Sequence, residues 1–191
     1  MRIIAVTLPE VRSDDARIIA SLLNSVVDIV HLRKPDASVE RCAAILSQLS
    51  AEHRSRIVIH DYAELYEEYS LLGIHVNKSV RTLPEDYSGL RTRSCHSLEE
   101  AERLKGDYDY IFLSPIFDSI SKIGYGSQFS HEELLRASNE GIIDERVVAL
   151  GGVTPDKIPY LESLGFGGAA MSGAIYSIAA INNTNALLHR E

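Results

Sequence analysis

The feature that most constrains the fold of this chain is a series of short apolar runs separated by segments long enough for one helix each. Apolar runs without polar alternation are typical of parallel strands buried on both faces. Their alternation with helix-length segments predicts an α/β fold with a parallel sheet. The predicted strands are Ile3–Thr7, Val27–Leu32, Arg56–His60, Gly73–Val76, Thr92–Cys95, Tyr110–Ser114, Val147–Leu150 and Gly168–Met171.

The segments between these runs carry helical periodicity, with one exception. Asn77–Leu90 contains Pro84 and Gly89 and shows no helical pattern. We therefore predict one α/β domain over residues 1–191, a compact (β/α)8 TIM barrel with a shortened or missing fourth helix. An open doubly wound sheet is the alternative, because strand spacing does not separate closed from open sheets. The predicted helices are Asp14–Asn24, Ser38–Glu52, Ala63–Leu71, Ser97–Leu104, His131–Ser138, Pro155–Leu164 and Gly173–Leu188.

The composition of the chain limits the kinds of molecule that we expect it to bind. The net charge of −8 and the pI near 5.4 argue against a nucleic-acid surface, which needs clustered Lys and Arg. The apolar start is too short for a signal peptide, and no run approaches the length of a membrane span. Cys42 and Cys95 lack CxxC spacing, which favours a reducing compartment. We expect a cytoplasmic protein without nucleic-acid or membrane partners, and a homo-oligomer stays open.

Small and anion-binding residues follow the last three predicted strands. Glycine and serine leave backbone N–H groups accessible to an anion, and lysine adds a positive charge. Loops after strands seven and eight frequently build phosphate sites in (β/α)8 enzymes. We therefore predict that this end of the barrel binds a phosphate. The predicted phosphate-binding residues are Ser119, Ser121, Lys122, Gly151, Gly152, Ser172 and Gly173.

Histidines lie at the ends of four neighbouring predicted strands, at His31, His60, His75 and His96. Neutral imidazoles converging at one barrel mouth are able to ligate zinc or iron. The same side chains are able to face the helix layer or to hydrogen-bond a neighbouring carbonyl instead. No HxH, HxxxH or HEXXH spacing indicates a preformed ligand pair. The histidine metal site is therefore the less favoured interpretation.

Two charged residues at strand ends are further candidates. Arg33 presents a planar fork that matches phosphate or carboxylate oxygens, although a salt bridge to a neighbouring loop explains it equally well. Asp61 is able to hold Mg²⁺, to orient a histidine, or to cap the helix predicted near Ala63. Position alone favours the cap.

Several segments together resemble one known family over nearly the whole chain. The tail is the clearest part, with a phosphate-binding AIGGI-like segment and a closing serine at Ser172. The matching segments are His31-Leu32-Arg33-Lys34-Pro35 for QLREK, His60-Asp61 for Asn-Asp, Gly73–Val80 for GVHLGQED, Ser114–Lys122 for GPIFPTxTK and Ala149–Val153 for AIGGI. The sequence thus resembles the thiamine phosphate synthases and the related TenI-type thiazole tautomerases.

The resemblance implies a specific reaction and specific roles. The synthases couple a thiazole phosphate to a hydroxymethylpyrimidine diphosphate with loss of pyrophosphate and with Mg²⁺ as cofactor. By analogy, Arg33 contacts the pyrophosphate, Asp61 is a metal ligand, and Lys122 binds the substrate phosphate. The family's second carboxylate ligand is replaced by Val80 and its lysine by Pro35, so the metal site is degraded.

Two alternatives to the synthase follow from these losses. A tautomerase needs the phosphate site and an acid–base group but no pyrophosphate leaving group. Its characteristic histidine is absent, because this chain has Ser114-Pro115 after strand six, so a strand-end histidine would have to serve. A catalytically idle phosphate-binding paralogue is the third interpretation. We predict the synthase, with Arg33, Lys122, His60 and His96 as its catalytic residues.

Overall fold

Eight parallel strands form a closed barrel in this computed structural model, which describes residues 1–78, 80, 82–83, 85–118 and 128–176. Each strand pairs with its sequence neighbours, and β8 pairs with β1 through Arg2 beside Gly168 and Ala5 beside Met171. The predicted (β/α)8 barrel is therefore confirmed, and the open sheet is excluded. The strands are β1 Arg2–Val6, β2 Ile29–Leu32, β3 Ile57–Ile59, β4 Gly73–Val76, β5 Leu90–Cys95, β6 Tyr110–Leu113, β7 Val147–Leu150 and β8 Gly168–Met171.

The helices surround the barrel, and one prediction about them is wrong. Ser38–Glu52 is divided into two helices, because the side chains of Ser47 and Gln48 both donate to the Ala44 carbonyl at the end of the first. The Ser50 hydroxyl then accepts from the His53 amide and caps a new helix. The helices are α1 Asp15–Leu23, α2 Val39–Leu46, α3 Ala51–Arg54, α4 Leu65–Tyr69, α5 Leu98–Leu104, α6 His131–Asn139 and α7 Ile158–Ser163. Short 3-10 segments cover Lys105–Asp107 and Pro155–Lys157.

The predicted gap in the helical layer lies between β4 and β5. The described residues between Val76 and Leu90 contain no helix. The buried ring of Tyr87 lies there instead, 4.7 Å from the ring of Tyr66. The helix predicted from Gly173 is described only to residue 176, and residues 173–176 are helical. Within the described part of the chain, no helix combines the length and apolar character needed to cross a bilayer.

The barrel interior changes character along its axis. Branched and aromatic side chains such as Ile4, Val58 and Phe112 form an apolar cluster inside it. Strand alternation places His31 on the same side as Ile29, and His75 on the same side as Gly73. Histidines therefore extend the interior toward the carboxyl ends of the strands, where (β/α)8 enzymes hold their active sites.

Candidate active site

Three of the predicted strand-end histidines meet inside the barrel. His31 Nδ1 lies 2.8 Å from His60 Nε2, and the His60 and His75 rings are stacked with centroids 4.0 Å apart. All three side chains are buried. We call His31, His60 and His75 the histidine array.

The array belongs to a continuous hydrogen-bonded network. His31 Nε2 lies 2.6 Å from the Tyr110 hydroxyl, and His75 lies 2.8 Å from the Thr92 hydroxyl. Each ring nitrogen of His31 has a hydrogen-bond partner when the Tyr110 hydroxyl donates to His31 Nε2 and His31 Nδ1–H donates to His60 Nε2. The histidines of the array thus hydrogen-bond side chains rather than the neighbouring carbonyls that the sequence suggested.

Burial keeps the array neutral. It lowers the pKa of His31 and His60 well below the ordinary value of 6.5. Burial, together with the positive charges of Arg33 and Arg93, lowers the pKa of His75 to about 3. The imidazoles therefore act as neutral hydrogen-bonding groups at pH 7.

The geometry of the array does not match a preformed metal site, although its ligand atoms lie within 4.8 Å of one another. Three histidine ligands must point their lone pairs at one ion. Here the facing nitrogens of His31 and His60 share a hydrogen bond, and the ring of His75 is parallel to that of His60 within 13°. His75 also has both nitrogens beside hydroxyls, of Thr92 and Ser94. The observed contacts therefore favour a hydrogen-bonding role.

Asp61 follows β3 and lines a cavity of about 400 Å³ at the barrel mouth. Its predicted role as a helix cap is wrong, because α4 begins later and Glu64 occupies the N-cap position. The intervening Tyr62 has a left-handed backbone with φ of +60°, and its hydroxyl donates to the Ala37 carbonyl at 2.5 Å. This anchor joins the loop after β3 to the loop after β2. It leaves the half-buried Asp61 at the cavity wall.

The same cavity contains the two positions at which this chain departs from the synthase pattern. Pro35 and Val80 both line it. Val80 is buried, and its amide donates to the Asn77 side chain at 2.9 Å. Glu64 also lines the cavity, so two acidic residues, Asp61 and Glu64, border it. Mg²⁺ prefers oxygen ligands and commonly binds one or two carboxylates together with substrate phosphates, so this donor set fits the ion.

Arg33 lies exposed at the mouth and is fixed through its backbone. Its amide donates to the Thr7 hydroxyl at 2.9 Å, and that hydroxyl donates to the Arg33 carbonyl at 3.0 Å. Its charge contributes, after burial, to lowering the pKa of His75. The positive charge of Arg33 therefore acts on the histidine array.

Sequence reasoning missed the role of the next residue, Lys34. Its side chain is fully buried, with Nζ 2.7 Å from Asp15 Oδ2. The ammonium also donates to the carbonyls of Leu8 and Glu10. Lys34 thus attaches the loop after β1 to β2. A lysine directly after a buried strand was a visible signal, but its partners lie 19 or more positions away in the chain, the nearest being Asp15.

The Gly151-Gly152 pair forms a turn with positive φ values of +92° and +62°. The Phe117 amide donates to the Gly151 carbonyl at 3.0 Å. A Cβ at Gly152 would lie 2.5 Å from the Asp118 carbonyl oxygen and 2.7 Å from that of Phe117. Glycine is therefore required by both the backbone conformation and the close approach of the loop after β6.

The remaining predicted phosphate-binding residues fall into two groups. Ser172 follows β8, next to the glycine turn in strand order, and a Cβ at Gly173 would meet no atom within 4 Å. Gly173 is exposed, directly after the carboxyl end of β8. Ser119, Ser121 and Lys122 lie outside the described residues.

His96, the remaining predicted catalytic histidine, lies apart from the array. It is exposed, and its Nδ1–H donates to the Ser114 carbonyl at 2.9 Å. The Glu100 carboxylate accepts from its backbone amide at 3.0 Å. His96 therefore connects the loop after β5 with the loop after β6.

Comparison with known proteins gives a consistent set of relatives. A family model described as thiamine monophosphate synthase matches residues 3–175. The thiamine-phosphate synthase of Photorhabdus laumondii subsp. laumondii is 27% identical over 166 residues, covering 82% of this chain and 76% of its own length. That of Bacteroides fragilis is 26% identical over 158 residues, covering 76% and 78%.

Solved structures agree with these relatives. A thiamine phosphate pyrophosphorylase from Bacteroides thetaiotaomicron superposes with a TM-score of 0.84 at 37% identity, over 93% of this chain and 85% of that one. A thiamine phosphate pyrophosphorylase from Pyrococcus furiosus superposes with a TM-score of 0.68 at 17% identity, over 91% and 86%. The second similarity concerns the fold alone.

Proposed function

We infer that this chain, which belongs to the thiamine monophosphate synthase family, is a transferase. It couples a thiazole phosphate to a hydroxymethylpyrimidine diphosphate. Pyrophosphate is the leaving group. The observation that carries the proposal is the Gly151-Gly152 turn, packed against the loop after β6 and followed in strand order by Ser172.

The glycine turn supports the thiazole-phosphate half of the site. Without side chains, Gly151 and Gly152 allow a phosphate to approach the backbone closely, and the Ser172 hydroxyl adds a donor. Gly173 extends this surface. We propose that Ser119, Ser121 and Lys122 complete it, with the lysine compensating the charge of the phosphate.

Arg33 and Asp61 are the residues that support the assignment of the other half of the site, which would bind the pyrophosphate group. We propose that Arg33 binds the diphosphate of the pyrimidine substrate through its guanidinium fork. The family is generally dependent on Mg²⁺, and Asp61 would hold the ion with Glu64 at the same cavity. When bound, the ion would supply positive charge to stabilise the departing pyrophosphate.

The histidines contribute little acid–base chemistry to this proposal. Loss of a diphosphate depends mainly on positioning and charge stabilisation rather than on proton transfer. We propose that His60 forms part of the neutral floor beneath the pyrimidine. His96 holds the loop after β6 in place through the Ser114 carbonyl.

We also propose that the protein acts in the cytoplasm. Cys42 and Cys95 are buried and unpaired. Burial, with the nearby charge of Asp61, raises the pKa of the Cys42 thiol to about 11, so the thiol stays protonated. Free buried thiols are ordinary in a reducing compartment.

An assay with both substrates and Mg²⁺ tests the activity. We expect formation of thiamine phosphate that chelation of Mg²⁺ abolishes. Asp61→Asn should lower kcat/KM by roughly a hundredfold or more, because a charged group at the leaving pyrophosphate acts in the transition state. Lys105→Met, which removes a lysine beside α5, is the control. Absence of product at high enzyme concentration would overturn the synthase assignment.

Binding measurements test the phosphate subsite separately. We expect Lys122→Ala and Ser172→Ala each to weaken thiazole phosphate binding by roughly tenfold, the value of one hydrogen bond to a charged group. Calorimetric titration measures both affinities. If both variants bind as tightly as the parent protein, the phosphate subsite is assigned incorrectly.

A further inference from the structure

The glycine turn is held in place by a residue that the proposed reaction does not use. Lys157, half-buried just before α7, donates from Nζ to the Gly152 carbonyl at 2.7 Å. The same ammonium lies 4.2 Å from the centroid of the Phe117 ring. Phe117 belongs to the loop after β6, so one cation contacts both of the loops that form the proposed phosphate subsite.

A second side chain of the same helix surface extends this contact. The Tyr160 ring lies 6.1 Å from the Phe117 ring, and its hydroxyl lies 2.6 Å from His131 Nδ1. Positions 157 and 160 are three residues apart and lie on one helix face. We call Lys157, Phe117, Tyr160 and His131 the α7 brace.

The position of the brace in the chain gives it a functional consequence. Phe117 precedes Ser119, Ser121 and Lys122, and His131 follows them as the first residue of α6. The brace therefore contacts one described residue before, and one described residue after, the stretch of chain that carries these three residues. Through the Gly152 carbonyl it fixes the glycine turn against the same helix.

Besides holding the turn in place, Lys157 contributes a positive charge next to it. Its ammonium is hydrogen-bonded to the carbonyl of Gly152, in the turn that is proposed to meet a phosphate. A cation–π contact and a charged hydrogen bond both hold the ammonium there. A partly buried positive charge next to the turn would stabilise a dianion bound there.

We propose that Lys157 and Tyr160 are positioning residues of the phosphate subsite, which hold the Gly151-Gly152 turn against Phe117 in the loop after β6 and against His131 at the start of α6. This inference rests on the proposed function for the identity of the ligand only. It extends the subsite to the side chains of Lys157 and Tyr160, to which the resemblance to the synthases gives no role.

Titration calorimetry with thiazole phosphate and, separately, inorganic phosphate tests the inference. We expect Lys157→Met to weaken both affinities by roughly tenfold or more, since a charged hydrogen bond is lost. Lys157→Arg should stay within about threefold of the parent, because it retains the donor and the cation. Tyr160→Phe, which loses only the hydroxyl, should weaken binding by roughly threefold.

Lys105→Met is the matched control. Lys105 also donates to backbone carbonyls, of Gly141 and Ile142, and pairs with Asp144, but it lies away from the glycine turn. In steady-state assays, Lys157→Met should raise the KM for thiazole phosphate and leave the KM for the pyrimidine diphosphate unchanged. A merely structural lysine would affect both substrates or neither.

The outcomes separate this inference from the proposed function. Equal affinities of the parent and Lys157→Met for both probes overturn the inference. Phosphate binding that Lys157→Met weakens, in a protein that does not bind thiazole phosphate, supports the brace and overturns the substrate assignment. A parent protein that binds neither probe overturns both.

Discussion

At the scale of single residues, the ion pair between Lys34 and Asp15 connects the loop after β1 to the end of β2. Both side chains are fully buried, and Asp15 Oδ2 also accepts from the Arg12 amide at 2.8 Å. Removing one partner of a buried pair leaves an uncompensated charge in a poorly solvated site. The pair therefore secures the loop after β1 directly next to Arg33.

We predict that Lys34→Met lowers the free energy of unfolding by about 3–5 kcal/mol, because Asp15 loses its counter-ion. Urea denaturation at pH 7 measures the change. The double variant Lys34→Met/Asp15→Leu should recover much of the loss, since no buried charge remains. A single variant as stable as the parent would contradict this account.

At the scale of elements, the strand-to-helix loops of β6 and β7 act as one unit. The Ile116 amide donates to the Leu150 carbonyl and the Phe117 amide to that of Gly151, each at 3.0 Å. The two loops are thus paired by backbone hydrogen bonds beyond the ends of their strands. The positive φ of Gly152 allows this approach.

We predict that Gly152→Ala abolishes detectable thiazole phosphate binding, because the new Cβ would force the loop after β6 away. Gly141→Ala is the control, with a φ of +72° but no atom within 4 Å of its Cβ position. Gly141→Ala should lose about 1–2 kcal/mol of stability from the left-handed backbone, and Gly152→Ala should lose more, because its Cβ also meets the Asp118 carbonyl oxygen. Calorimetry should find unchanged ligand affinity in the control, and equal affinities in both variants would refute the assigned role of the turn.

At the scale of the whole molecule, the barrel contains neutral imidazoles where many barrels have branched aliphatic side chains. His31 and His75 have lowered pKa values because they are buried. The unfolded chain takes up their protons as the pH falls below about 6.5, whereas the folded chain does not. The array therefore contributes stability that is present above pH 6.5 and is lost as the pH falls toward 3.

We predict that the free energy of unfolding decreases between pH 7 and pH 5. Each array histidine should contribute up to about 1.4 kcal/mol per pH unit below 6.5. His75→Gln should reduce the pH dependence of the free energy of unfolding by the contribution of about one proton. Urea denaturation at several pH values measures this dependence. A slope identical to that of the parent would show that His75 is protonated in the folded protein.

The sequence was a good guide where local chemistry decides structure. The strands predicted from apolar runs have the observed bounds in three cases, Gly73–Val76, Val147–Leu150 and Gly168–Met171. The helix predicted to begin at Ser97 has Ser97 as its N-cap, because the Ser97 hydroxyl accepts from the Glu100 amide and caps α5. Local patterns were insufficient for Ser50, whose cap interrupts an otherwise continuous helical periodicity, and for Asp61, since α4 begins at Leu65.

The amino-acid sequence by itself determined the alternation of strands and helices, the gap after β4 and the polar strand ends, because these depend on periodicity and residue type over short windows. Tertiary structure alone decided that the barrel closes through β1 and β8, that three histidines share one hydrogen-bonded network, and that Lys157 supports the glycine turn. Such contacts join different strands and loops around a closed sheet. Their geometry follows from strand register and ring closure, which no local pattern contains.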